Sequence, residues 1–153
     1  MSEEIKEQKT EWQLPDAFLQ FLVDIANQNQ SQLFLPITLY VKGLIVTGLL
    51  ISGKTYHDEF AAQMRQALQT SVAEEGLAEF EEDLKSFGEH YEPPNDPDGT
   101  DPLNVRYIHL RGVKIYQAGA AAPIPSEGGI LWRGRLDCVD GFSFGMLLNV
   151  PRS

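Results

Sequence analysis

The sequence predicts an α+β fold with an N-terminal helix, five short antiparallel strands and a helical insertion between the second and third strands. The strands form a small, strongly bent sheet or close into a barrel. Three observations lead there. Apolar residues recur at three- and four-residue steps in two separate regions, the mark of amphipathic helices. β-Branched and apolar runs bounded by glycine, proline or aspartate make up the rest. Short strands that curve leave less open edge, and Gly43, Gly48, Gly112, Gly134 and Gly141 lie where such bends are needed. A chain of 153 residues fills one domain with a real core and not two.

Residues 1–13, MSEEIKEQKTEWQ, are mostly charged and polar, so they read as a solvated tail with Trp12 as its docking point, and the domain as 14–153. Pro15 and Asp16 suit a first helical turn, and Phe18, Leu22 and Ile25, with Leu19 beside them, line one face of a helix over 15–28. The run Asn27 to Ser31 ends it, because short polar side chains compete for backbone hydrogen bonds.

Ile37 to Val41 and Leu44 to Ile51 read as a hairpin turned at Lys42-Gly43. Phe60, Met64, Ala67 and Leu68, then Leu77, Phe80, Leu84 and Phe87, predict two amphipathic helices or one kinked at Gly76. Glu81 and Lys85 have the spacing of a weak ion pair there. Pro93 to Pro102 holds four prolines and a glycine, which break helix and ladder alike, so it is a loop. The acidic helical insertion thus covers about 56–101. Strands are predicted over Val105–Tyr116, Ile130–Cys138 and Phe142–Val150, the last two joined as a hairpin at Asp140-Gly141.

Charge is distributed unevenly. The formal net charge is −10, which opposes long-range attraction to nucleic acid and anionic lipid. Residues 71–101 carry 11 acids against Lys85, while 102–153 carry 3 acids and 6 bases. A lone Cys138 forms no internal disulfide, and with no leader-like or membrane-spanning run the sequence points to the cytoplasm.

Gly48-Leu-Leu-Ile-Ser-Gly53-Lys54-Thr55 matches the phosphate-loop spacing GxxxxGK[ST]. Such a loop needs a nest of backbone amides, whereas Leu49, Leu50 and Ile51 continue a strand pattern and bury best when extended. Asp96, Asp98 and Asp101 around Gly99 resemble half a calcium site but lack the bidentate glutamate. A solvated turn is the simpler reading. His57, Asp58 and Glu59 are adjacent and spread over different helix faces, while His90 and His109 lack a ligand partner at a recognisable spacing. No nucleophile elbow or cysteine–histidine pair with a plausible context is present, and Cys138 before the turn reads as a packed small residue. The expectation is a protein without catalytic residues, metal or cofactor.

Arg106, Arg111, Lys114, Arg133 and Arg135 stand among Tyr107, Tyr116 and Trp132. Such a face binds single-stranded nucleic acid, or it pairs with the chain's own acidic segment or that of another copy, and the acidic segment favours pairing. Arg133, Arg135 and Trp132 with Phe142 and Phe144 are the expected protein-binding face. The competing reading makes Trp132 and Phe144 core residues, with the arginines as their solvent-facing neighbours.

Two family resemblances attach to these residues. Ile37-x-Leu39, Gly43-x-x-Val46-x-Gly48-x-Leu50 and Leu110 to Ile115 look like the two signatures of Sm-like barrels, which bind RNA as rings. This chain separates them by about sixty residues, puts a helical insertion in place of the family's uridine-binding loop and is acidic. The likeness is therefore one of shape, to an SH3/Sm-like barrel, and an RNA-binding module is the alternative function. The longer resemblance is to the gas vesicle accessory protein U family. It rests on Phe18–Ala26, on Ile37 to Gly43, on Leu49-Leu-Ile-Ser-Gly-Lys-Thr-Tyr56, and on Gly129 to Leu148. It implies a cytoplasmic, non-enzymatic accessory protein that associates with the vesicle shell and affects assembly or clustering. Its partners would be shell proteins or other copies of itself, and neither membrane nor nucleic acid.

Overall fold

The computed structural model describes residues 15–29, 34–91 and 107–147. Helix α1 spans Ala17–Asn29, strand β1 Leu35–Val41, β2 Leu44–Ile51, helix α2 Gly53–Leu68 and α3 Glu74–Ser86. A 3-10 turn follows at Phe87–Tyr91, then β3 at Tyr107–Gln117, β4 at Ile130–Arg135, a second 3-10 turn at Leu136–Cys138 and β5 at Gly141–Phe144. The tail with Trp12, the loop with Asp96, Asp98 and Asp101, and the end of the last expected strand at 148–150 lie outside the described residues.

The chain is α+β, and its five strands form one antiparallel sheet in the order β4-β3-β2-β1-β5. The barrel expectation is corrected: β4 and β5 are opposite edges, with no ladder between them among the described residues, so the sheet is open. It is nonetheless bent. Residues 136–140 alone join the two edges, and a connection of that length reaches at most ~20 Å. A flat sheet would separate those strands by about 19 Å sideways and also demand travel along the strands. Only a coiled sheet brings the ends within reach.

The expected hairpin at Asp140-Gly141 is corrected too. β5 pairs with β1, Phe142 opposite Leu39 and Phe144 opposite Ile37. The cause lies in the β1–β2 turn, where Lys42 (φ 49°) and Gly43 (φ 82°) both take the left-handed conformation of a type I′ turn. That leaves the Lys42 amide pointing outward, and it donates to Asp140 Oδ2 at 2.7 Å while Asp140 N donates to Tyr40 O at 2.8 Å. Asp140 therefore docks the returning chain onto the first hairpin instead of reversing it.

Helix α1 covers one face of the sheet. Asp16 Oδ1 accepts from the amides of Phe18 and Leu19, at 2.8 and 3.1 Å, as an N-cap does. Its buried stripe is Leu19, Val23 and Ala26, packed with Ile37, Leu39, Val46, Leu50, Ile108, Leu110, Val113 and Leu136. The expected stripe through Phe18 was one residue out of phase, because α1 is apolar on both stripes and spacing alone does not choose between them. Phe18 stays 61 % exposed, and its ring meets Phe142 with centroids 5.6 Å apart.

The helical insertion covers the other face. Its break falls at 69–73, with Gly76 inside α3 rather than at a kink. The buried side of α2 is Gly53, His57 and Ala61, while Ala67 is exposed; in α3 Leu77 is buried and Phe80 exposed. A histidine at the centre of the α2 stripe concealed its true phase. The Glu81–Lys85 pair forms at 2.8 Å, and Arg65 joins α2 to α3 through Glu81 at 2.7 Å and through Glu74.

At the start of α2, Ser52 Oγ accepts from Thr55 N at 3.0 Å, and buried Asn27 Oδ1 of α1 accepts from Gly53 N at 2.9 Å. The space beside Gly53 Cα is filled by the Tyr91 ring. Gly53→Ala would drive its methyl into that ring, and a loss of about 1–3 kcal/mol is expected. Urea unfolding of the two proteins checks it, and an unchanged midpoint refutes the packing argument.

Candidate functional site

The face under the insertion is set by strand register. Ile51, His109 and Arg133 lie side by side across β2, β3 and β4, hence on one face. Helix α2 lays Tyr56, His57 and Phe60 over them, and the 3-10 turn adds Phe87 and Tyr91. His109 is fully buried among the rings of Tyr56, Tyr91 and His57, with centroids at 4.8, 5.1 and 5.6 Å. His57 Nδ1 lies 2.7 Å from Gly53 O. Since a carbonyl only accepts, Nδ1 carries the proton. His109 Nε2 has no hydrogen-bond partner among the described residues.

Burial drives both histidines toward the neutral form. His57 is held below its ordinary pKa first by burial, against the Gly53 carbonyl, with Arg133 and His90 adding to the depression and Asp58 opposing it. His109 is held well below, by burial and then by His57 and Arg133. Tyr56 is raised by burial, with Arg133 opposing.

Beside this cluster opens a pocket of about 200 Å³ lined by Tyr56, His57, Phe60, Leu84, Phe87 and Arg133. Its walls are apolar and aromatic, and its one fixed charge is the Arg133 guanidinium, which lies 3.8 Å over the Tyr107 ring. The pocket has the size and chemistry to take one apolar side chain with an acid beside it. Among the described residues, no group of three metal-binding side chains converges. No helix there is long and apolar enough to cross a membrane.

The phosphate-loop spacing folds as strand and helix: Gly48 lies within β2, α2 begins at Gly53, and Lys54 Nζ pairs with Asp58 Oδ2 at 3.2 Å. The expected pairing of the basic strands with the acidic helical insertion is seen among the described residues as Arg111 with Glu59 of α2. The ion pairs of Glu74 and Glu81 run within the helical hairpin.

The five residues expected to form one binding face are divided by the sheet. Trp132 faces Leu110 and packs against the α1-side core. Arg133 and Arg135 alternate to the other face, Arg135 pairing with Asp137 at 2.6 Å. Phe142 and Phe144 lie on β5 at the far edge, Phe142 against the core and Phe144 78 % exposed. Sequence reasoning missed Asn27 and the His57–His109 cluster. The only signal for His57 was its place four residues after Gly53 on a stripe otherwise small and apolar.

A family model described as gas vesicle protein GvpU-like matches residues 16–147. No curated protein and no solved structure matches the chain.

The two histidines predict a pH dependence with a definite sign. Above about pH 6.5 they are neutral folded and unfolded, and contribute no slope. Below it the unfolded chain takes up protons that the folded cluster refuses, so stability falls as pH falls. Melting temperature is expected to drop by several degrees from pH 7 to 5, and less steeply in His109→Phe. Parallel slopes in the two proteins would contradict this.

Proposed function

The chain belongs to the gas vesicle protein GvpU-like family, and from that premise we propose that it is a non-enzymatic accessory protein of the cytoplasm. In this reading it binds gas vesicle shell components and affects vesicle assembly or clustering. The observation that carries the reading is the extent of the family match, which takes in every described element from α1 to β5.

The surface that suits shell binding is the pocket under the insertion together with the β4 edge. Arg133 supplies a cation at the pocket rim, and Arg135 stands two residues along the same face, its side chain 63 % exposed. A shell surface that offers an apolar side chain next to a carboxylate would seat the first in the pocket and the second on the arginines. Phe87, 56 % exposed beside the pocket, widens the apolar contact. Trp132 supports this edge from the core side and takes no direct part. The acidic outer surface of α3 keeps that side of the protein in solution.

Isolated vesicles floated by centrifugation separate bound protein from free. Wild-type protein is expected to float with the vesicles at low salt and to be partly released at high salt. Arg133→Glu/Arg135→Glu should reduce the bound fraction by about tenfold or more with its melting temperature nearly unchanged. Wild-type protein that stays in solution at every salt concentration would refute the shell-binding reading. A double variant that floats as well as wild type would refute the proposed surface.

A further inference from the structure

The two edges of the sheet differ in a way that selects a partner for one of them. In an antiparallel pair the backbone groups of alternate residues point toward the neighbouring strand. Gly145 N donates to Pro36 O at 2.8 Å, which fixes the alternation: Gly141, Ser143 and Gly145 are directed at β1, and Phe142 and Phe144 present their N–H and C=O groups outward. Among the described residues nothing pairs with that edge. Natural edge strands are blunted by charge, proline or a bulge. The sequence Gly-Phe-Ser-Phe of β5 has none of these.

We propose that two copies of this chain associate through their β5 edges, across a two-fold axis at Ser143, into one continuous ten-stranded sheet. With Ser143 opposite Ser143 of the second copy, Phe142 stands opposite Phe144 of the second copy, and each such pair exchanges two backbone hydrogen bonds. The outward groups of β5 are then all used, four bonds in all. The side chains agree with this register. Phe142 and Phe144 share the α1 face, because they stand opposite Leu39 and Ile37 of the core, so the axis generates two aromatic cross-strand pairs. Phe18 already touches Phe142 and extends that cluster, with Phe21 one turn further along α1.

Charge decides which edge pairs with itself. β5 holds no ionisable residue, whereas self-pairing of β4 would bring Arg133 and Arg135 against their own copies, a destabilising arrangement. Phe144, Phe18 and Phe21 are 78 %, 61 % and 55 % exposed. At 150–250 Å² per aromatic side chain that is roughly 400 Å² of apolar surface per copy. With the strand backbone added, the interface falls near the lower limit of specific ones. The result is a dimer that forms and dissociates with concentration.

The association itself stands apart from the vesicle reading; its consequence rests on that reading. An isologous β5 contact leaves the two β4 edges, with their arginines and pockets, as the two free edges of the joined sheet, one on each copy. Such a particle holds two shell surfaces at once, which is what clustering requires.

Sedimentation of the full chain across a concentration series tests the contact without vesicles. Wild type is expected to pass from monomer to dimer. Ser143→Lys and Ser143→Glu alter an exposed side chain at the axis, so each alone should stay monomeric while folded, and an equimolar mixture of the two should restore the dimer. Arg135→Glu should dimerise as wild type does. A monomeric wild type at the highest concentration, a dimer that persists in both Ser143 variants, or association abolished by Arg135→Glu would each overturn the proposal. With dimerisation confirmed, Ser143→Lys should still float with vesicles and fail to cluster them. Loss of flotation in wild type would count against shell binding alone and leave the dimer standing.

Discussion

One buried hydrogen bond, from the Gly53 amide to Asn27 Oδ1, joins the two halves of this protein. The amides of a first helical turn have no partner within the helix, and an unpaired buried donor costs about 1–3 kcal/mol. Helix α2 starts directly at the buried end of β2, with Ser52 and Gly53 both enclosed. Its amides must therefore be met by protein. Ser52 meets one locally. Asn27 meets another from α1, on the opposite face of the sheet, and so ties the layer that covers one side to the layer that covers the other. The absence of a side chain at Gly53 lets the Tyr91 ring close over the same point. This draws the 3-10 turn that follows α3 back to the start of α2. His57 takes the next carbonyl of that turn and carries the tie into the aromatic cluster above His109.

What could be read from the sequence follows from which of these ties are local. The Lys42-Gly43 turn was legible because its conformation is determined by two adjacent residues. The two insertion helices were legible because apolar spacing is a property of consecutive turns. The partner of β5 was not. Asp140-Gly141 suits a hairpin turn on its own, and only the outward Lys42 amide, some hundred residues earlier, diverts it to β1. Asn27 looked like a helix terminator because polar residues do end helices there, at Asn29, and nothing nearby in sequence shows which donor it meets. The residues expected to bind together are divided for a geometric reason: neighbours on a strand point to opposite faces, so Trp132 and Arg133 do not share one. The pocket was invisible for the same reason as the histidine pair, since its residues come from α2, α3, the 3-10 turn and β4.

The acids of the insertion take on a more limited role than their number suggested. Arg65 and Lys85 hold Glu74 and Glu81 within the helical hairpin, and contacts of this exposed kind contribute little to stability. Glu59, on α2 ahead of the acid-rich 71–101 stretch, makes the pair that crosses to the sheet through Arg111. The remaining acids of α3 leave a surface of one sign on the layer farthest from α1. It repels other copies approaching from that side, and it leaves the uncharged edge as the approach without a barrier.

An open sheet with two unlike edges faces a problem that a closed barrel avoids. If β5 of one copy joined β4 of the next, every addition would expose the same pair of edges again, and growth would end only in a ring or a filament. The bent sheet makes no ring inevitable. A self-complementary edge solves this in one step, because two-fold pairing consumes both β5 edges and leaves only edges that carry arginine. Charge on β4 and its absence on β5 therefore act together: one limits growth, the other permits the single contact. The aromatic stripe on α1 belongs to the same arrangement. Phe18 and Phe21 contribute little to the monomer's core, where Leu19 and Val23 do the packing, and exposed rings of that size are costly to keep in water unless a partner covers them. Their position beside Phe142, at the uncharged edge and away from the acidic helices, is what a contact between copies would require and what the stability of a lone subunit leaves unexplained.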